Sequence, residues 1–343
     1  MGGKAGNNHR SSKEPRVKTP PVLFGETQGL LGDLEARLGG PILTYWVSQN
    51  SRIHGEDAEA FYDVLRAGEV HDRLYLYIKS EGGSGIASLR IVHLLRKYAR
   101  RLIAVVPLDC ASAATMLALG SDEIWMGPLA YLSAIDTSIR HELSPLNKDN
   151  DRVSVSQDEL ARVLSLWSEK NSKEPGNPYA RLYDHIHPLV FGAVDRASSL
   201  SIKLTTQILS YHMDDESRAL EISSHLNGSY PSHSYPITLP EAQRIGLNVR
   251  ELESDVNDGL LELHKLYSEM AQLAYTDYDE LNYHDNEILK IIECRDSQVF
   301  YQKDKDWHYR SQERRWVPMN DESSWRRVDR VDGTTRRKRL HLR

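Results

Sequence analysis

Two short stretches hold the residues best suited to chemistry. Ser112 stands in DCASAATMLALG (residues 109–120), where an apolar strand pattern gives way to a helical one. The glycine pair Gly82 and Gly83 stands in KSEGGSG (residues 79–85), at another strand-to-helix junction. A serine at a helix start lies at the edge of a parallel sheet, where α/β sites form. The amide of Ala113 is one of the unpaired donors of the helix start, and the helix dipole there favours negative charge. Both features suit a serine that attacks a carbonyl. Serine is also a preferred N-cap, and capping alone accounts for it locally. The glycine pair has three readings: a phosphate cradle, a bare amide aimed at an oxyanion, or a tight turn. If the two loops are neighbours, the N–H groups of Gly83 and Ala113 converge on one oxygen beside Ser112. Each such donor is worth about a hundred- to a thousand-fold in rate.

The elements needed to bring these loops together are legible. PILTYWVS, RLYLYIKS, RLIAVVP and DEIWMG read as strands, and AYLSAI as a fifth. GEDAEAFYDVLRAG, GIASLRIVHLLRKYAR and SAATMLALG read as helices between them. Short apolar strands alternating with helices indicate βαβ units and a mainly parallel sheet. Beyond residue 150 the pattern is helical. SQDELARVLSLWSEK carries a capping box, Ser156 with Glu159, and a stripe of Leu160, Val163, Leu164 and Trp167. The segment 187–212 predicts a long helix with Leu189, Ala193, Ala197, Leu200, Leu204, Ile208 and Tyr211 on one face. TLPEAQRIGLNV and DVNDGLLELHKLYSEMAQLAY predict two more helices. From about residue 296, strand-like stretches with Trp307, Trp316 and Trp325 at regular intervals suggest a β-meander. The basic end, TTRRKRLHLR, is expected as a solvated tail, with a protein or nucleic-acid contact as the rival reading.

Composition sets the outer bounds. The 343 residues are 40% hydrophobic and 27% charged, ordinary values for a globular chain able to bury a sizeable core. A net charge of −6 gives no global bias toward nucleic acid. Two cysteines, Cys110 and Cys294, exclude a disulfide framework and fit a reducing compartment. The N-terminal stretch lacks a signal peptide's apolar core, and residues 102–120, the most apolar stretch, contain Pro107 and Asp109. No membrane span and a cytoplasmic location are therefore expected.

The stretch from YLYIKSEGGSG through SAATMLALGSDEIWMGPLAYLSAID resembles the Clp/crotonase-like serine peptidases. Within these it is most similar to the serine dehydrogenase proteinase family, which is related to Clp protease and signal peptide peptidase. HPLVFGAVDRASSLS and GSYPSHSYPITLPEAQRIGLNV add to the likeness, which covers roughly residues 40–270. The resemblance implies a ββα-superhelix assembled into homo-oligomers, no cofactor, and peptide-bond hydrolysis through Ser112. With the polar, Gly/Pro-rich start of the chain, the expected division is an N-terminal tail (1–22, expected disordered), a peptidase domain (23–272) and a C-terminal extension (273–343). Glu81 stands where the related loops carry proline.

The general base is less plainly marked. Where Clp protease has its histidine, this chain has Ile135 and Asp136; where Ser-Lys relatives have lysine, it reads RVSVSQ. His187, opening HPLVFGAV, is the expected base, because an imidazole titrates near neutral pH. Asp136 is the expected orienting carboxylate of a triad. Lys203 is the Ser-Lys alternative, with His185 and His141 behind it. Cys110 reads as a buried, inert thiol, and the HIH at 185–187 has no partner cluster for a metal. Two rival functions keep the fold: an acyl-CoA enzyme of crotonase type, and a non-catalytic scaffold whose Trp-spaced basic end does the binding.

Overall fold

The computed structural model of the chain describes residues 16–66, 68–148, 150–170 and 182–342. Its helices are α1 (Phe24–Leu38), α2 (Asp57–Leu65), α3 (Gly85–Tyr98), α4 (Ala113–Leu119), α5 (Gln157–Lys170), α6 (Pro188–Leu209), α7 (Glu216–Gly228), α8 (Leu239–Arg244) and α9 (Ser254–Met270). Its strands begin with β1 (Ile42–Val47), β2 (His71–Lys79), β3 (Ala99–Val106), β4 (Asp109–Cys110) and β5 (Glu123–Met126). The short β6 (Tyr131–Leu132), β7 (Ser138–Ile139), β8 (Val155–Ser156) and β9 (Val249–Glu251) follow. The chain ends in β10 (Ala274–Asp279), β11 (Asn282–Cys294), β12 (Ser297–Arg310), β13 (Arg315–Asp321), β14 (Ser324–Val331) and β15 (Thr334–Leu340).

The fold is mixed α/β, with a mainly parallel core sheet and C-terminal antiparallel strands. Strands β1, β2, β3, β5 and β9 lie side by side and parallel. Their near-continuous apolar runs follow from burial on both faces. Alternate side chains go to opposite faces, so one strand feeds two cores. Leu43 and Tyr45 of β1, Leu76 and Ile78 of β2, and Leu102 and Ala104 of β3 pack under α2, α3 and α4. Ile42 and Trp46, Tyr75 and Tyr77, and Ile103 and Val105 pack instead under α1 and α9. The sequence reading assigned no element to α1, yet Leu31, Leu34 and Leu38 make it half of that second helical layer.

On its other side, β1 pairs antiparallel with β11, and β12, β14 and β15 continue the same sheet outward. The meander thus starts earlier than the tryptophan spacing suggested, at β10, and extends the central sheet. A buried ion pair marks the junction: Lys290 Nζ of β11 lies 2.6 Å from Asp57 Oδ1 of α2. Asp57 Oδ2 also accepts hydrogen bonds from Tyr45 Oη (2.6 Å) and His54 N (2.8 Å). All partners of this carboxylate are therefore satisfied, as a buried charge requires.

Several sequence expectations differ in detail. AYLSAI forms only the two-residue β6, which pairs with β4 outside the main sheet. The buried side of α6 is Val190, Ala193, Val194, Ser198, Ser201, Thr205 and Ile208, whereas Leu189 and Leu200 face outward. The small hydroxyl residues win because α6 packs closely on its neighbours; Ser201 Oγ donates to Ile135 O at 2.6 Å. On α5 the capping box forms reciprocally, Glu159 N to Ser156 Oγ and Ser156 N to Glu159 Oε2, but Val163 is exposed. The basic tail is an ordered edge strand, β15, whose pairing to β14 sets Arg337 opposite Val328. Of the N-terminal tail, residues 1–15 lie outside the described residues, and Lys18 N donates to Thr276 Oγ1 of β10 at 2.9 Å.

Candidate active site

The loops after β2 and β3 are stitched together by backbone bonds. Ser80 N donates to Asp109 O (3.0 Å) and Ala111 N donates to Ser80 O (2.9 Å). The glycine loop is held from its other side by the loop after β1: Ile53 N donates to Gly82 O, and Ser84 N to Ile53 O. Ser84 then caps α3 by accepting from Ala87 N. Bonds on both sides of the glycine pair dictate its backbone, with φ of +102° at Gly82 and +147° at Gly83. Few side chains tolerate those angles. Space excludes them too. A Cβ on Gly82 would lie 2.6 Å from Ala111 O and 2.7 Å from Ser112 Cβ, and one on Gly83 would collide with the Ile53 backbone.

Ser112 does not cap α4 with its side chain. Its φ and ψ are 54° and −119°, and no capping hydrogen bond forms. Such a conformation costs a non-glycine residue about 1–3 kcal/mol and persists only where the surroundings impose it. A sharp strand-to-helix turn of this kind exposes a serine hydroxyl. The amides of Gly83 and Ala113 donate to no other group among the described residues. The Ser112 amide is occupied, donating to Ser133 Oγ at 2.7 Å.

Ser112 and Gly83 line one cavity of roughly 500 Å³ with Arg52, Glu81, Ala111, Tyr131, Asp136, Thr137, Ser138, His233 and Ser234. Across it, His233 Nδ1 and Asp136 Oδ1 are 2.7 Å apart. A carboxylate only accepts, so Nδ1 carries the proton and Nε2 is left as the free ring nitrogen. The Asp136 hydrogen bond holds the His233 pKa above its ordinary value, against the opposing effect of burial. Arg52 Nη1 and Glu81 Oε2, at 2.5 Å, form an exposed ion pair at the cavity.

The structure therefore brings Ser112, Gly83 and Asp136 of the expected set to one cavity, with Ala113, next to Ser112, buried at the start of α4. His187 is not among the residues lining that cavity. Its ring accepts from Leu189 N at 3.2 Å and caps α6, because the helix opens at Pro188 and the residue before it is the N-cap. Lys203 lines a different hollow, with Ser199, Thr206 and Glu216. His141 accepts from Leu143 N within a turn, and His185 is exposed. Cys110 is buried, and desolvation drives its thiol pKa well above the ordinary value. Among the described residues no cluster of histidine, cysteine and carboxylates could hold a metal ion.

Sequence reasoning missed His233. It lies in the loop between α7 and α8, in the stretch GSYPSHSYPITLP already noted for its likeness to the family. A bridge between Leu132 and Ile237 ties this loop to the end of β6, with N···O distances of 2.9 and 2.8 Å. That long-range pairing, with Ile135 N donating to Leu226 O at 3.0 Å, brings the loop beside Asp136.

No family model matches the sequence. Two proteins of Methanocaldococcus jannaschii are similar: the uncharacterized protein MJ0137, 23% identical over 62% of this chain, and the uncharacterized protein MJ1495, 22% identical over 62%. The matches span 65% and 63% of those relatives' own lengths. Among solved structures, a serine-to-alanine mutant of the membrane-bound stomatin-specific protease 1510-N aligns over 65% of this chain and 82% of that one, at 13% identity and a TM-score of 0.38. A lysine-to-alanine mutant of that protease, in complex with a substrate peptide, aligns over 62% and 74%, at 16% identity and a TM-score of 0.36.

Proposed function

We propose that the chain is a serine peptidase of Clp/crotonase-like type, with Ser112 as nucleophile and His233 as general base. The observation that carries this reading is one cavity containing a strained, half-buried serine, a free backbone amide on the facing glycine loop, and a carboxylate-held imidazole. His233 takes the role first expected of His187, and Asp136 keeps its own.

In the first half-reaction the Ser112 hydroxyl proton passes to His233 Nε2 as Oγ bonds to the scissile carbonyl carbon. The carbonyl oxygen becomes an oxyanion, received by the N–H groups of Gly83 and Ala113. Nδ1–H stays on Asp136, which fixes the tautomer and stabilises the imidazolium. Collapse breaks the C–N bond, and His233 returns its proton to the leaving amine. Water then attacks the acyl-serine by the same path in reverse, releasing the acid and restoring Ser112.

A fluorophosphonate probe tests this directly, since it reacts with activated serines. The expected result is labelling of the intact chain at Ser112, with none in Ser112→Ala, and cleavage of a peptide mixture by the intact chain alone. An unlabelled, inactive chain, tested at high concentration so that any oligomer can assemble, would leave the scaffold reading in possession.

A further inference from the structure

Ser112 is held in its unfavourable conformation by something, and one side chain is placed to do it. We propose that Ser133 is a positioning residue: its hydroxyl pins the Ser112 amide, and so keeps the nucleophile turned toward the cavity. The proposal rests on the hydrolase reading for its catalytic consequence, though not for its structural one.

Ser133 follows β6 directly and is fully buried. Its hydroxyl donates to Ala134 O at 3.0 Å, which fixes the rotor. A lone pair is then left for Ser112 N–H, at 2.7 Å. A second set of bonds fixes Ser133 itself. Its own N–H donates to Thr115 Oγ1 at 3.0 Å, and Thr115 Oγ1 donates to Cys110 O at 2.8 Å. Thr115 belongs to α4, and Cys110 precedes the turn at Ser112. The network therefore starts before Ser112, runs through the helix after it, and returns through Ser133 to its amide. The parallel pairing of β4 with β6 keeps the two chain segments in register.

This arrangement has a second consequence. A hydrogen-bond donor already engaged by a buried hydroxyl is not free for an oxyanion. The Ser112 amide is thus removed from the candidates, and Gly83 and Ala113 remain. Without Ser133, the N–H of residue 112 loses its acceptor, and the turn loses the contact that opposes relaxation to ordinary φ.

The test uses Ser133→Ala in the full chain, with two readouts. In the first, the rate of fluorophosphonate labelling at Ser112 should fall at least tenfold, and peptide kcat should fall with KM unchanged. In the second, thermal unfolding is measured for Ser133→Ala alone and on a Ser112→Gly background. Glycine adopts the mirror of an extended conformation freely, so there the pin has no strain to resist. The melting shift caused by Ser133→Ala should be halved or smaller on that background. If the single variant does not fold, the double variant should. Equal melting shifts on both backgrounds, an unfolded double variant, or unchanged labelling would each overturn the proposal. Should the intact chain prove unreactive to the probe, the hydrolase reading falls, and the unfolding comparison still decides what Ser133 does.

Discussion

In the proposed mechanism, the charge on His233 decides when the site can act. As a base the imidazole must be neutral, and its pKa is raised, mainly by the hydrogen bond to Asp136. The acid limb of a kcat/KM profile should therefore lie above the ordinary imidazole value of about 6.5. Asp136→Asn removes the charge that holds the proton, and the limb should move to lower pH while the rate drops. His233→Ala should cost about a hundred- to ten-thousand-fold, the usual range for a positioned acid–base group. His187→Ala, by contrast, should leave the rate within a factor of two. Stability follows the same proton with a definite sign. A histidine with a raised folded pKa stabilises the fold below its unfolded value, and that contribution fades as pH rises through the folded one. With half of the His233 side chain exposed, the effect on unfolding should be small. Ser112 was legible because its signals are local: a strand, a short loop, a helix. His233 was not, because no local pattern separates a loop histidine with a carboxylate partner from one without. Its partner lies 97 residues earlier in the chain.

At the scale of elements, the glycine loop and the α2–β11 junction are each held by interactions that admit little substitution. Gly83→Ala must place a methyl group against the Ile53 backbone at a φ of +147°. The strained conformation alone is worth about 1–3 kcal/mol. Moving the loop would also shift the proposed oxyanion donor, so probe labelling should fall even where the variant remains folded. At the junction, Asp57→Ala strands the buried Lys290 ammonium, which should cost about 3–5 kcal/mol in a chemical denaturation curve. Adding Lys290→Met should recover part of that loss, because two apolar groups leave no uncompensated charge. The βαβ run was readable from apolar blocks and helix punctuation, since a strand buried on both faces writes itself as a continuous hydrophobic string. The working face of α6 was not readable from hydrophobicity. Its contacts favour serine and threonine, which fit close helix packing and hydrogen-bond back to the chain, over leucines that face outward.

For the molecule as a whole, the consequential pairing is β1 with β11, which joins residues about 250 apart. The sequence marks a C-terminal extension after the peptidase-like stretch ends near residue 270, with strand signals only from about residue 296. No local signal records that its second strand would take the open edge of the parallel sheet, because register between distant strands is set only when both are present. Ile288, Ile291, Val299 and Phe300 are buried by this arrangement, beside the α1 and α9 layer or under α2. Deleting residues 273–343 should therefore do more than remove an appendage. It would bare the edge of β1, strip one side of both cores, and leave Asp57 without its cation. Exposed apolar strand edges pair with other chains, so the truncated protein should be recovered aggregated, or folded only loosely, with early amide exchange in β1. Removing the outermost strand alone, residues 332–343, is a different case. It takes away mostly exposed side chains and a single ladder, with the half-buried Leu340 and Leu342 the apolar losses. That shorter deletion should stay monodisperse in size-exclusion chromatography and keep most of its unfolding cooperativity. If the longer deletion instead gave a soluble, cooperatively folded protein that still labelled at Ser112, the meander would be an independent unit, and the continuity of the sheet across β1 would carry no weight in holding the site together.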